Sequence, residues 1–218
     1  MKMWKRLVTI VLLLFAVSAD AEERGPENDY GRSRPGGLTI PWQSLLAESG
    51  LEGWQESSGF PWKPGEWSRE GDTVRASFSG HGKTRITQGD STWKNYEFSL
   101  HLTIGEGTVQ IPFRLSAEGK TFYFVEFDHS WQTINVTKRN ESGRGVTKLS
   151  VVNFPVEFGR EYHLIISARQ QSLTTYIDGN LLNQVTDDSY SRGGVGLGMW
   201  WTTTATFRDP KIRHYKLP

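Results

Sequence analysis

Leu173-Thr-Thr-Tyr-Ile-Asp-Gly-Asn-Leu-Leu182, followed after a polar loop by Gly193-Gly-Val-Gly-Leu-Gly-Met-Trp-Trp201 and Ala205-Thr-Phe-Arg-Asp-Pro-Lys-Ile212, decides the fold. Asp178-Gly179 stands between two apolar-alternating runs, and glycine reaches the positive φ angles that a tight turn needs, so this stretch predicts a β-hairpin. In the next run Val195, Leu197 and Met199 alternate with Gly194, Gly196 and Gly198. One face of that strand is therefore apolar and the other nearly bare backbone, which admits close approach.

Upstream the same grammar repeats. Strands are expected at 73–78, 84–87, 96–104, 109–115, 122–128, 133–138, 146–152 and 162–168, then at 173–177, 181–185, 195–200 and 205–215. Turns bearing Gly, Asn or Asp separate them, such as Gly105-Glu-Gly107. Tyr96 to Ile104 shows the alternation: Phe98, Leu100, Leu102 and Ile104 point to a core, while Glu97, Ser99, His101 and Thr103 point away. Trp42 to Leu51 is expected to form a short helical turn, and Ser57 to Gly65, with Pro61 and Pro64, a loop. Many short strands with no long helix give an all-β fold, two antiparallel sheets packed face to face as a jelly-roll sandwich.

The chain has 218 residues, enough for one self-sufficient domain. Its formal net charge is +1, with Lys and Arg spread among nearly as many acids, which argues against nucleic acid as a partner. Met1 to Arg6 is basic, Leu7 to Val17 is a short apolar run and Ala19-Asp-Ala21 offers small residues for cleavage. Residues 1–21 therefore read as a signal peptide, leaving no transmembrane segment after its removal. Glu22 to Gly37 reads as a polar lead-in, and the sandwich is expected over 38–218. There is no cysteine, so an exported chain would lack disulfides, which suits a periplasmic or secreted bacterial protein.

Leu45-Leu46 through Leu51-Glu-Gly-Trp54, and then Gly65-Glu-Trp-Ser-Arg-Glu-Gly-Asp-Thr-Val74, resemble the opening of the 3-keto-disaccharide hydrolase domains, a family of concanavalin A-like sandwiches. Tyr123-Phe-Val-Glu-Phe-Asp128 resembles the central strand of that family, and the C-terminal stretches quoted above are similar to its final strands. The resemblance implies a concanavalin A-like fold and action on glycosides, with an acid on the concave face. The same closing pattern occurs in lectin sandwiches, so fold alone does not separate hydrolase from binder.

Glu126 and Asp128 are two positions apart on one strand and share a face, roughly 6–7 Å between attachment points. Carboxylates so placed can divide acid and base roles or share a divalent cation. The pair also resembles the Glu-x-Asp-x-x-Glu strand of family-sixteen glycoside hydrolases, but Trp131 occupies the last position, where the second glutamate would stand as proton donor. Arg114 can hold a sugar hydroxyl or carboxylate through its forked donors, or form a cross-strand ion pair. His129 and Trp131 follow the acids, and Trp200 stands beside Trp201. Flat rings of this kind stack on a pyranose. Alternation puts Trp200 and Trp201 on opposite faces, one of them in the core. Asp187-Asp188 is a second candidate cation pair. These residues fit a carbohydrate-directed enzyme, with Glu126 and Asp128 catalytic and Arg114, His129, Trp131 and Trp200 holding substrate. They also fit a noncatalytic sugar-binding module or a structural envelope protein.

Overall fold

The computed structural model describes residues 41–58, 61–140 and 145–215, and every regular element among them is a β-strand. The expected signal peptide at 1–21, the lead-in at 22–37 and the start of the fold near Leu38 lie outside the described residues. The strands are β1 (Gln43–Ser44), β2 (Gln55–Glu56), β3 (Glu66–Glu70), β4 (Thr73–Phe78), β5 (Lys83–Gln88), β6 (Tyr96–Leu115) and β7 (Phe122–Asp128). They continue with β8 (Thr133–Arg139), β9 (Val146–Asn153), β10 (Glu161–Arg169), β11 (Ser172–Ile177), β12 (Asn180–Thr186) and β13 (Gly194–His214).

Two long strands organise the rest. The N-terminal half of β6 pairs with β10 and with the C-terminal half of β13, whereas its C-terminal half pairs with β7 and with the N-terminal half of β13. One layer therefore runs β12-β11-β10-β6-β13-β4-β3, and the second runs β9-β8-β7-β6-β13-β5-β2. Their apolar faces meet in a shared core: the Phe127 ring of the second layer lies 5.7 Å from that of Tyr162 in the first. This is the antiparallel jelly-roll sandwich that the alternation predicts.

Gly105-Glu-Gly107, expected to be a turn, is instead the place where β6 bends from one layer into the other. Gly107 has φ 79°, and a β-carbon there would collide with the Thr202 carbonyl and the Thr203 hydroxyl. The Thr203 hydroxyl mends the ladder at the bend, accepting from the Thr108 N–H at 3.1 Å and donating to the Trp200 carbonyl at 2.8 Å. The same bend corrects the reading of the tryptophan pair. Trp201 has φ 62°, so alternation fails there; Trp200 is half-buried, Trp201 is exposed and neither enters the core.

The helical turn expected between Trp42 and Leu51 does not form. Its backbone groups are taken elsewhere: Gln43 and Ser44 pair with β13, the Leu45 N–H donates to the Pro210 carbonyl and the Leu46 N–H to the Ser44 hydroxyl. At the hairpin, Asp178 (φ 49°) and Gly179 (φ 79°) both lie in the left-handed region, as a type I′ turn requires. The strand of alternating glycines turns Val195, Leu197 and Met199 inward, all essentially inaccessible, and leaves its glycine face on the outside of the second layer.

Candidate functional site

The outer face of the second layer gathers polar side chains from four strands into one row, which crosses a fifth strand, β13, at Gly198. Arg85 of β5 pairs with Gly198, Gly198 with Gln110, Gln110 with Glu126 and Glu126 with Asn135. At a strand spacing of about 4.8 Å this row is about 19 Å long. The adjoining row contains Lys83, Trp200, Thr108, Asp128 and Thr133. In the first row the β13 position is bare, because Gly198 contributes no side chain.

Glu126 is 6% exposed and is held from both sides by amides. The Gln110 Nε2 donates to Oε2 at 2.5 Å and the Asn135 Nδ2 to Oε1 at 3.4 Å. Lys83 links the two rows, its Nζ lying 4.5 Å from the centre of the Trp200 ring and 3.4 Å from the Gln110 Oε1. Burial pushes the Lys83 ammonium down to about 8; repulsion from Arg139 and Arg85 adds to this and the Glu126 carboxylate opposes it. Burial, with repulsion from Arg139, also lowers Arg85, to about 9.

Open hydrogen-bonding positions line the same face. The Thr133 Oγ1, Asn135 Oδ1 and Thr137 Oγ1, on successive outward positions of β8, are buried with no partner, and so is the Arg85 Nη1. A buried polar atom left unpaired costs roughly 1–3 kcal/mol. Native folds keep such atoms chiefly where water or a ligand completes them.

A family model described as the 3-keto-alpha-glucoside-1,2-lyase-like domain matches residues 41–213, nearly all of the described chain. The chain belongs to that family. The levanase of Bacillus subtilis (strain 168) is 23% identical over 178 residues, 77% of this chain. This chain spans only 24% of that protein's length. Among solved structures, carbohydrate binding module CBM66 from Bacillus subtilis superposes with a TM-score of 0.63 at 19% identity, over 74% of this chain and 95% of that one. The Bacillus licheniformis beta-glucanase superposes with a TM-score of 0.58 at 11% identity, over 81% and 98%. At these identities the likeness is one of fold: this lyase-like domain is a carbohydrate-related concanavalin A-like sandwich.

Of the residues singled out in the sequence, the structure brings Glu126, Asp128 and Trp200 onto the face just described. Asp128 sits at the strand end, where its Oδ1 accepts from the Trp131 N–H at 3.2 Å. His129 lies in the following turn, stacked on Phe158 at 3.7 Å with its Nδ1 2.7 Å from the Val156 carbonyl oxygen. Trp131, in the same turn, is 78% exposed. Arg114 is elsewhere, 1% exposed inside the fold. Its φ of 49° makes it the extra residue of a bulge, since Gly194 pairs with Leu115 but Val195 with Phe113. Pro112, whose ring suggests an edge or a bulge, thus lies in a central strand two residues before one. The Arg114 guanidinium holds the carbonyls of Tyr190, Lys94 and Gln170, and its N–H donates to the Tyr96 hydroxyl.

Asp187, read as half of a cation pair, is a structural anchor. Burial pushes its carboxyl up, but hydrogen bonds from Lys138, Tyr123 and Ser189 hold it well below the usual carboxylate range. Among the described residues no three His, Asp or Glu side chains converge as a metal site, and no helix is long and apolar enough to cross a membrane. Lys83, Arg85, Gln110, Asn135 and Trp62 complete the face, and none was singled out by motif. The four strand residues announce themselves only by alternation with core residues, as in Ile134-Asn-Val136-Thr137, and Trp62, outside the strands, carries no such signal.

Proposed function

We propose that this chain recognises a carbohydrate on the outer face of its second layer. The observation that carries the reading is the run of buried, unpartnered polar atoms on Thr133, Asn135 and Thr137 beside an amide-held Glu126. Sugar hydroxyls donate and accept at once, so a chain of them along β8 would complete these atoms, with Trp200 giving a ring face for stacking. The levanase relationship and the fold shared with a carbohydrate binding module support the same assignment. Calorimetric titration with a panel of oligosaccharides tests it: saturable binding lost at least tenfold in Asn135→Ala and in Trp200→Ala is expected, and silence across the panel would overturn it.

A catalytic extension is favoured by one further observation, the juxtaposition of Glu126 with a lysine brought down to about 8. In a 1,2-elimination from a 3-keto-glucoside, a base removes the proton on C2, made acidic by the neighbouring ketone. The C1–C2 double bond forms as the C1–O bond breaks, and the leaving oxygen takes a proton. In this reading Glu126 acts as the base and the Lys83 ammonium as the acid, a division that relies on Asp128 less than a two-carboxylate hydrolysis does. Glu126→Gln should then abolish release of the aglycone from a 3-keto-glucoside while binding persists. Binding without turnover by the unaltered chain leaves recognition as the whole function.

Export to the periplasm or medium belongs to the same proposal, supported by the basic, apolar and small-residue sequence of Met1 to Ala21.

A further inference from the structure

Arg85 is the one residue of the face whose chemistry a neutral sugar leaves unexplained. It is 1% exposed, and its partners are all uncharged: the Nε donates to the Ser57 hydroxyl at 2.9 Å and the Nη2 to the Gly119 carbonyl at 3.1 Å. The guanidinium lies 3.9 Å from the centre of the Trp62 ring and 4.8 Å from that of Phe122, and its Nη1 has no partner. Buried charges are ordinarily paired with an opposite charge, which offsets the hydration lost on burial.

The space beside it can hold that partner. A cavity of about 340 Å³ is lined by Arg85 and Trp62, and by Ser57, Gln88 and Ser116 among others. That is the size of a small-ligand site. The Gln88 Oε1 is a second buried atom with no partner, an acceptor suited to a hydroxyl. Two carboxylates also line the cavity. Glu56 is engaged by the Gly65 N–H at 2.8 Å, and Glu118 is exposed. Neither forms an ion pair with Arg85. Arg85 also feels the repulsion of Arg139, which acts on Lys83 as well.

We propose that the saccharide taken by this face is acidic, a uronate whose carboxylate enters the cavity beside Arg85 and completes its Nη1. The inference rests on the carbohydrate reading above and narrows its ligand class. Trp62 then serves twice, holding the guanidinium plane and closing one wall of the cavity.

Trimers of galacturonate, glucuronate and mannuronate, each beside its methyl ester, provide the test, because acid and ester differ in charge and little in shape. Titration of the full mature chain should show at least one acid bound ten times more tightly than its ester, a ratio that shrinks as salt is raised. Arg85→Met should bring acid and ester to equal affinity, and Arg85→Lys should keep part of the preference. Neutral glycans bound with none of the three acids preferred would overturn this inference and leave the carbohydrate reading standing. Silence toward acids and neutral glycans alike would overturn both.

Discussion

Arg114 and Glu126 lie on neighbouring strands of one layer, yet one backbone angle gives them opposite roles. The bulge at Arg114 withdraws its side chain from the outer face and spends it on three loop carbonyls, so Arg114→Met should lower unfolding free energy by about 3 kcal/mol or more. Denaturant titration measures that loss, and sugar affinity at a temperature where the variant is folded should stay unchanged, as it would not if Arg114 held substrate. Lys83 is expected to show itself through pH. Its ammonium titrates near 8 in the fold against 10.5 when free. Between those values the unfolded chain carries a proton that the folded chain lacks, so stability rises as pH climbs from 8 toward 10.5. Arg85, lowered to about 9, adds to the slope above that pH. Lys83→Met should remove its share of the rise in a set of unfolding curves from pH 7 to 10.5. That Lys83, Arg85, Gln110 and Asn135 face outward is legible from their alternation with core residues. That they meet is not, because their strands become neighbours only through the order of the folded sheet.

Strand β13 shows what its bare face is for. A β-carbon on Gly194 would stand 2.6 Å from the Gln88 carbonyl oxygen, whereas on Gly198 the nearest atom, the Gln110 oxygen, is at 3.1 Å. The close approach anticipated from the glycine spacing is thus made first by the neighbouring strands themselves. Gly194→Ala should cost about 1–3 kcal/mol, the range for forcing atoms into a packed site, and Gly198→Ala distinctly less, both read from denaturant midpoints. The strand pattern itself was legible almost residue by residue: Thr73–Phe78 and Phe122–Asp128 form with the bounds expected. What alternation could not show is that 96–104 and 109–115 are one strand, as are 195–200 and 205–215. Gly-Glu-Gly reads as a turn, and only hydrogen bonds from a partner strand carry the ladder through it. Edge strand β3 escaped for a related reason, since Trp67 is its single apolar residue and leaves no period to detect.

At the scale of the molecule, two layers share two bent strands, and the polar row of the second layer crosses the glycine face of β13 at Gly198. The fold explains why a family resemblance could identify the sandwich and still leave its chemistry open: the matching motifs build turns and strand edges, whereas Arg85, Gln110 and Asn135 sit at positions where any polar residue maintains the alternation. Export is tested by intact mass of the secreted product, which should begin at Glu22; a chain starting at Met1 would contradict it. The central claim is the place of recognition. It is tested most directly by amide and side-chain NMR shifts of the labelled chain titrated with a bound oligosaccharide. Perturbations should concentrate at Lys83, Gln110, Glu126, Asn135, Thr137 and Trp200. Shifts confined to the outer face of the first layer, around Glu97 and His163, would contradict the account.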